Sequence, residues 1–263
     1  MEEQENQENE VPLMFSRILF AGINPLDLSN KTAAIFGLGG LGVVVAEMLA
    51  RVGIGKLILI DRDIVGEENL NRLGYTYEDI GKPKSEVLAE KLMSISKARG
   101  KLKLEVRYYT VDIVAWKELR KIVEESDILF TCLDNLEARL EVNYWAVKLR
   151  KPLVDGGTSL NGRRGRIITV IPYQTPCLGC YFDEETLMGS EEIHDVLTCG
   201  ASLPTTMSIV AALQVEMGLR ILLGRKNIVP RIFINLEDDD IVIINERNVK
   251  RRRNCPYCGV DKT

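Results

Sequence analysis

Four of the six cysteines occur as two pairs with the same spacing, Cys177-x-x-Cys180 and Cys255-x-x-Cys258. Both pairs lie in turn-like sequences, Thr-Pro-Cys-Leu-Gly-Cys and Asn-Cys-Pro-Tyr-Cys-Gly. Four thiolates at this spacing form a closed tetrahedral site for a structural zinc ion. A redox-active pair or two unrelated turns are the alternatives. The spacing therefore predicts a Zn²⁺ ion that ties the C-terminal strands to an irregular segment earlier in the chain.

A fifth cysteine, Cys199, stands apart from these pairs and comes shortly before Pro204, where a helix is predicted to begin. A helix N-terminus lowers the pKa of a nearby thiol, which makes Cys199 a candidate nucleophile. The alternative is a small packed residue, and spacing alone does not decide between the two. Cys132 is expected in the core. His194 is the single histidine, which argues against a serine–histidine hydrolase, and we expect it at the surface.

A glycine-rich loop between two predicted strands indicates a nucleotide site. The apolar run 33–36 leads into Gly-Leu-Gly-Gly-Leu-Gly and then a helix, and the next strand ends at Asp61. The four glycines are Gly37, Gly39, Gly40 and Gly42. Glycines let backbone N–H groups approach a phosphate at a helix N-terminus, and a carboxylate placed like Asp61 accepts hydrogen bonds from ribose hydroxyls. The alternative is that the glycines serve only helix-on-sheet packing.

The residues after this loop favour ATP over NAD as the nucleotide. A polar cluster containing Asn69, Asn71 and Arg72 follows the second strand, and Lys84 comes soon after it. Arg72 and Lys84 would supply the fixed positive charge that a triphosphate and its leaving pyrophosphate need more than a dinucleotide does. The alternative for Lys84 is that it merely solvates the start of the predicted helix 82–98.

A second polar pair, Asp134 and Asn135, follows the strand predicted over 127–132. Ligands bind at the carboxyl edge of open α/β sheets, so Asp134 is a candidate ligand for Mg²⁺. Its alternative role is N-cap of the helix predicted to begin at Leu136, and the two roles do not exclude each other.

Short apolar runs alternate with longer helical segments, which predicts βαβ units and a parallel sheet. The predicted strands span 32–36, 56–60, 104–109, 127–132 and 152–155. The predicted helices lie near 41–52, 82–98, 114–124, 136–149 and 205–223. After Gly156 the runs RGRIITVIP, RIFINLE and DIVIINE are typical of antiparallel strands. The expected fold is therefore α/β: a Rossmann-like, mostly parallel sheet with helices on both faces, continued by antiparallel strands and a zinc-bound C-terminal segment.

Length and composition place these elements in one domain. The 263 residues are 46% hydrophobic, and residues 1–12 form an acidic tail that we expect to be disordered. Residues 13–258 form the domain, with a nucleotide half at about 32–155 and a second half at about 156–258. A net charge of −4 gives no case for nucleic acid, and the basic run 250–253 is expected to be a solvated flank. No stretch approaches the roughly 18 apolar residues of a membrane span, and the N-terminus is unlike a secretory signal, which predicts a cytoplasmic protein.

The glycine loop, the polar cluster 69–72 and the pair 134–135 occur in an order and spacing that resemble the adenylation domain of ubiquitin-activating-type enzymes. The resemblance covers about residues 13 to 258. This superfamily includes activators of ubiquitin-like modifiers and the adenylyltransferases of sulfur-carrier proteins in molybdopterin and thiamine synthesis. Within it, the segment Thr198–Met207 looks most like the branch that activates the ubiquitin-fold modifier.

The resemblance implies that ATP and Mg²⁺ adenylate the C-terminal carboxylate of a small ubiquitin-like protein ending in Gly-Gly. Arg72, Lys84 and Mg²⁺ on Asp134 would neutralise charge on the phosphates, and Arg17 would reach the nucleotide of the other subunit of a homodimer. Cys199 would then carry the modifier as a thioester toward a conjugating enzyme. Where relatives have an asparagine near the end of the third strand this chain has Thr110, so no role is inferred there.

Three other functions remain open on the sequence. A sulfur-carrier adenylyltransferase would stop at the adenylate. An NAD-dependent oxidoreductase and a non-catalytic nucleotide-binding scaffold are alternatives from other classes.

Overall fold

The computed structural model describes residues 11–181, 202–237 and 241–259. An eight-stranded sheet runs through these residues in the order β3-β2-β1-β4-β5-β6-β7-β8. The strands are β1 (Thr32–Phe36), β2 (Lys56–Ile60), β3 (Glu105–Tyr109), β4 (Ile128–Thr131), β5 (Leu153–Thr158), β6 (Arg164–Val170), β7 (Arg231–Asn235) and β8 (Val242–Glu246). The first five strands of this order, β3-β2-β1-β4-β5, are parallel to one another. The pairs β5-β6, β6-β7 and β7-β8 are antiparallel.

Helices cover both faces of the sheet. In the described residues they are α1 (Ser16–Phe20), α2 (Gly42–Val52), α3 (Lys84–Ser96), α4 (Leu119–Glu125), α5 (Leu136–Lys148), α6 (Leu178–Tyr181) and α7 (Pro204–Leu222). Strand β1 shows why both faces must be covered: Ala33 and Ile35 pack with α2, α3 and α7, whereas Ala34 and Phe36 pack with α4 and α5. A strand buried on both faces reads as a continuous apolar run, as this one does. The predicted α/β fold is confirmed.

Two boundaries differ from the prediction by three or more residues. The helix predicted over 114–124 begins only at Leu119, because Ala115 has a φ of 61°, in the left-handed region that a right-handed helix excludes. The Asp112 side chain also accepts a hydrogen bond from the Val114 N–H at 3.0 Å, which stabilises a turn. Strand β5 extends past Gly156 to Thr158, because its end pairs antiparallel with β6.

Helix α7 departs from the expectation that no segment resembles a membrane span. By length and composition alone it could cross a membrane, with a mean hydropathy of 1.2 over its most apolar window. Half of that window is buried inside the protein. Its fully buried Gln214 donates hydrogen bonds to the carbonyls of Thr131 (3.3 Å) and Val154 (3.2 Å), so α7 is a core helix fastened to β4 and β5.

Candidate functional site

A cavity of ≈ 390 Å³ opens at the carboxyl ends of β1, β2 and β4. Strand β1 lies between β2 and β4, so the strand order reverses direction at β1. Open α/β sheets bind ligands at such a topological switch point. The predicted site residues that line the cavity are Gly37, Gly39, Gly40, Asp61, Asn69, Arg72, Lys84, Asp134 and Asn135. The fold therefore brings together residues that are up to about a hundred positions apart in the chain.

The glycines of the loop have different reasons to be glycine. Gly37 has a φ of +86°, and a Cβ there would lie 2.6 Å from the Cys132 carbonyl oxygen. A Cβ on Gly42, which does not line the cavity, would lie 1.8 Å from the Gly37 carbonyl oxygen. A Cβ on Gly39 would meet nothing within 4 Å. Packing thus requires Gly37 and Gly42, whereas the space at Gly39 is open for a ligand at the N-terminus of α2.

Asp61 braces the glycine loop from the end of β2. Its carboxylate accepts hydrogen bonds from the Leu38 N–H at 2.5 Å and the Asp63 N–H at 2.8 Å. Burial raises the pKa of Asp61, although both backbone hydrogen bonds and the nearby Lys84 oppose that rise. Each carboxylate oxygen of Asp61 can accept a further hydrogen bond. The contacts to the glycine loop therefore leave Asp61 able to accept a hydrogen bond from a ribose hydroxyl.

Lys84 is not a solvated residue at a helix start. Its exposed fraction is only 7%, and its ammonium donates a hydrogen bond to Asp63 at 3.0 Å. The backbone N–H of Lys84 also donates to the Asp63 carbonyl at 3.0 Å. A buried ammonium held beside a cavity is positioned to neutralise a ligand's negative charge.

Arg72 connects the cavity to the chain that follows Cys199. Its guanidinium donates to the Ser202 hydroxyl at 2.8 Å, and the Asn71 amide donates to the Ser202 carbonyl at 3.1 Å. Ser202 and Met207 also line the cavity. Of the polar cluster, Asn71 therefore holds a neighbouring segment and does not line the cavity.

Asn69 and Asn135 have local structural roles in addition to lining the cavity. The Asn69 side chain accepts a hydrogen bond from the Gly66 N–H at 3.0 Å, which closes a short 3-10 turn. The N-cap of α5 is Asn135, whose side chain accepts from the Ala138 N–H at 2.8 Å. The alternative role of Asp134 as the N-cap is therefore wrong. Its exposed carboxylate remains available at the cavity edge.

A buried ionic cluster behind the cavity was not predicted. Asp155 on β5 is fully buried and pairs with Arg139 of α5 and, at 2.6 Å, with Arg166 of β6. Arg139 also donates to the carbonyls of Leu133 and, at 3.0 Å, Gly156. Arg139 lines the cavity, so the cluster fixes the wall that carries the 132–135 turn. A lone aspartate inside an apolar strand was the available sequence signal.

The remaining residues singled out by the sequence have different outcomes. Arg17 is exposed on α1 and does not line it. Cys199 and His194 lie outside the described residues. Thr110 shares a hydrogen bond of 2.8 Å with the hydroxyl of Ser85. Cys132, expected in the core, is half-buried and lines the cavity, and burial raises the pKa of its thiol to about 12.

The four paired cysteines converge on the opposite face from α7. The sulfur atoms of Cys177, Cys180, Cys255 and Cys258 all lie within 4.8 Å of one another and form no disulfide. The shortest separations are 3.4 Å between Cys180 and Cys258 and 3.6 Å between Cys177 and Cys255. Sulfurs at tetrahedral positions 2.3 Å from a zinc ion would lie about 3.8 Å apart. The residues therefore fit a four-thiolate metal site.

The basic run beside this cluster is not a solvated flank throughout. Arg251 donates hydrogen bonds to the carbonyls of Tyr173 and, at 3.0 Å, Cys258. Arg252 donates to the carbonyl of Gly179 at 2.7 Å. The two guanidinium groups thus join both cysteine turns, whereas Arg253 is exposed.

Comparison with known proteins assigns the family. Residues 14–257 match the ThiF family. The chain belongs to the ThiF family. This membership confirms the resemblance inferred from the glycine loop and the polar clusters.

Relatives of this ThiF-family protein include ubiquitin-like modifier-activating enzyme 5 from three organisms. The Dictyostelium discoideum protein is 35% identical over 214 residues, which cover 75% of this chain and 54% of that protein. The Aedes aegypti protein is 36% identical over 214 residues (75% and 52%), and the Arabidopsis thaliana protein 31% over 221 residues (78% and 50%). The chain thus spans about half the length of these relatives.

Solved structures agree with this assignment. E. coli MccB, crystallised with ATP, superposes with a TM-score of 0.73 at 25% identity, covering 89% of this chain and 68% of that one. PaaA superposes with a TM-score of 0.66 at 20% identity, covering 84% of this chain and 74% of that one, which supports the fold alone.

Proposed function

We propose that this protein uses ATP to adenylate the C-terminal carboxylate of a ubiquitin-like protein. The observation that carries the proposal is the cavity itself, where open space at Gly39 lies with the cations Arg72 and Lys84 at one sheet edge. The relatives named as ubiquitin-like modifier-activating enzymes and the MccB structure with ATP support both the substrate class and the nucleotide.

In the proposed reaction a carboxylate oxygen of the modifier attacks the α-phosphorus of ATP. The bond between that phosphorus and the bridging oxygen breaks, and pyrophosphate leaves with the electron pair. Arg72 and Lys84 hold the phosphates and offset the charge that develops on the leaving group. Asp61 keeps the glycine loop in place and orients the ribose.

The second proposed step is thioester formation at Cys199. The thiolate attacks the acyl carbon of the adenylate, a carbon–sulfur bond forms, and AMP leaves with the electrons of the carbon–oxygen bond. Support comes from Ser202, which Arg72 and Asn71 fasten beside the cavity. Cys199 itself comes three residues earlier in the sequence and lies outside the described residues.

Two metal ions complete the proposal. Asp134 would hold Mg²⁺, because its exposed carboxylate faces the cavity and is free of the helix-capping role that Asn135 takes. The ion would neutralise charge on the ATP phosphates. The four-cysteine cluster would hold Zn²⁺ as a structural ion closed to substrate.

The proposed partners are a modifier ending in Gly-Gly, a conjugating enzyme and a second copy of this chain, all in the cytoplasm. A homodimer is supported by the N-terminal segment, where Leu13 and Phe20 are 87% and 88% exposed on either side of Arg17. Apolar side chains that flank an exposed arginine suit a surface that a second subunit covers. Sedimentation of Phe20→Ser should show monomers where the natural chain sediments as a dimer.

The test of the first step is modifier-dependent exchange of radiolabelled pyrophosphate into ATP. We expect Lys84→Met to lower the exchange rate by roughly 100-fold, because a charge that stabilises the transition state is lost. The matched control is Lys56→Met, which removes a lysine paired with Glu105 and Glu125 away from the cavity and should leave exchange unchanged. Exchange that survives Lys84→Met at the natural rate contradicts the proposed role.

The thioester step has its own test. Cys199→Ala should retain pyrophosphate exchange and lose the thiol-sensitive adduct with the modifier. A natural chain that exchanges pyrophosphate but never forms such an adduct would instead be a sulfur-carrier type of adenylyltransferase. A chain stabilised by NAD but not by Mg·ATP would be an oxidoreductase, and one that binds ATP without exchange would be a scaffold.

A further inference from the structure

Asp63 places a negative charge in the cavity of the proposed ATP site. It lines this cavity together with Lys84, and its side chain is 50% exposed. A carboxylate repels the phosphate oxygens of a nucleotide. The proposed reaction gives Asp63 no role of its own, so its contacts have to explain why an acidic residue stands there.

The backbone of Asp63 is fixed between the glycine loop and the start of α3. Its N–H donates to the carboxylate of Asp61, at 2.8 Å, and Asp61 also braces the glycine loop. The carbonyl of Asp63 accepts the backbone N–H of Lys84 at 3.0 Å. The Val65 N–H continues this pairing and donates to the Lys82 carbonyl at 2.9 Å. These bonds use backbone atoms of residues 63–65, so a change in the side chain of Asp63 leaves them in place.

The side chain of Asp63 holds the ammonium of Lys84. The two groups are 3.0 Å apart, and in the described part of the chain no other carboxylate lies within 4.0 Å of this ammonium. A lysine ammonium has three N–H donors, so one bond to Asp63 leaves two for a ligand in the cavity. Arg62 is a weaker partner of Asp63, at 3.7 Å, because it lies closer to Asp112, at 2.7 Å.

We propose that Asp63 is a positioning residue, which holds the ammonium of Lys84 where the phosphates of the nucleotide bind. The inference rests on the proposed function, because that function supplies the triphosphate. Asp63 then has two opposite effects on ATP: its charge repels the phosphates, and its hydrogen bond aims Lys84 at them. Positioning outweighs repulsion only while Lys84 is present, so the effect of removing the Asp63 charge should depend on Lys84.

A double-mutant cycle on the full chain tests this dependence. The proteins are the natural chain, Asp63→Asn, Lys84→Met and the double variant, and the readouts are the Kd for Mg·ATP and the rate of pyrophosphate exchange. With Lys84 present, we expect Asp63→Asn to weaken Mg·ATP binding by about fivefold and to slow exchange by roughly tenfold. The double variant should bind Mg·ATP at least as tightly as Lys84→Met alone, because only the repulsion has been removed.

The matched control is Glu105→Gln on β3. Glu105 is also a half-exposed carboxylate beside a lysine, at 3.5 Å from Lys56, but it does not line the cavity. This variant should leave both readouts unchanged. Equal losses from Asp63→Asn in both Lys84 backgrounds would show that Asp63 acts without Lys84, for example by holding Mg²⁺, and would overturn the proposal. Tighter binding by Asp63→Asn with Lys84 present would leave repulsion as its only effect and would also overturn it.

The two readouts separate this inference from the proposed function. A natural chain that shows the coupling in Mg·ATP binding but never exchanges pyrophosphate contradicts the proposed function and supports the positioning role. Exchange by the natural chain with additive losses in the cycle does the reverse. A natural chain that does not bind Mg·ATP overturns both. If Asp63→Asn does not fold, Asp63→Ser carries the same test, because serine also lacks the charge that pairs with the ammonium.

Discussion

Single residues in the glycine loop separate packing from binding. Gly42 is glycine because the Gly37 carbonyl fills the space where a Cβ would stand, and Gly39 faces open space in the cavity. Glycine therefore occurs at these two positions for two different physical reasons. Only the positions of the neighbouring atoms distinguish the two reasons.

Substitution of these two glycines should give opposite results. We expect Gly39→Ala to change the free energy of unfolding by less than about 0.5 kcal/mol, because its methyl group meets no protein atom. It should nevertheless weaken ATP binding by about tenfold, since the methyl group stands where the backbone would approach phosphate. Gly42→Ala should be poorly soluble or unfolded. Thermal melts with and without Mg·ATP measure both effects, and a Gly39→Ala chain that binds ATP normally would contradict the phosphate role.

Individual elements are held together by buried polar groups as well as by apolar contacts. Asp155 joins its own strand β5 to two other elements, because its two carboxylate oxygens pair with Arg139 on α5 and Arg166 on β6. The Thr131 hydroxyl of β4 also donates to Asp155 at 2.7 Å. This cluster sets the position of β5 relative to the helix that follows the 132–135 turn.

Loss of the central carboxylate should destabilise the whole chain. Asp155→Asn leaves two buried guanidinium groups without their counter-charge, and we expect a loss of roughly 3–5 kcal/mol in the free energy of unfolding. Glu47→Gln is the surface control: it removes an exposed ion pair with Arg51 and should cost less than about 1 kcal/mol. Chemical denaturation measures both values. Similar costs for the two variants would show that the buried cluster is not a stabilising centre.

The two cysteine turns depend on the arginines beside them. Arg251→Met removes hydrogen bonds to the Tyr173 and Cys258 carbonyls, so the turns should hold a metal less tightly. We expect zinc release to a competing chelator to accelerate by about tenfold, as is typical when outer-shell partners of a metal site are lost. Arg253→Met, an exposed neighbour in the same basic run, is the matched control. Equal release from both variants would mean that Arg251 does not support the site.

At the scale of the whole molecule, the cysteine cluster is part of one of the two hydrophobic cores that the described residues form. Cys177, Cys255 and Cys258 are buried with Leu178, in the same core as residues of α4 and α5. The C-terminal residues 255–258 are thereby joined to the chain about 78 positions earlier. A metal ion bound here would close a long loop and support the packing of that whole face.

Removal of the metal should therefore affect the entire fold. We expect one zinc ion per chain, and dialysis against a strong chelator should lower the Tm by about 10 °C or more. The four paired cysteines should then react with a thiol reagent under native conditions. Addition of Zn²⁺ should restore both the Tm and the protection. A chelated chain with an unchanged Tm would argue against a structural ion.

The sequence by itself determined the strands of the nucleotide half, the glycine loop and the cysteine pairs. Apolar runs of strand length and helical periodicity are local signals, and β1 and β2 were predicted to the residue for that reason. The meeting of Asp61, Arg72 and Asp134 at one cavity was also predictable, because polar side chains that follow parallel strands lie at one edge of the sheet.

Only the tertiary structure decided how those side chains are used. It gave the helix-capping role to Asn135 and left Asp134 open, buried Lys84 beside Asp63, and assembled the Asp155 cluster from three elements. Arg251, expected on a solvated flank, proved to be half-buried and bonded to two backbone carbonyls for the same reason. Burial and pairing depend on atoms far away in the chain, which residue type and spacing do not encode locally.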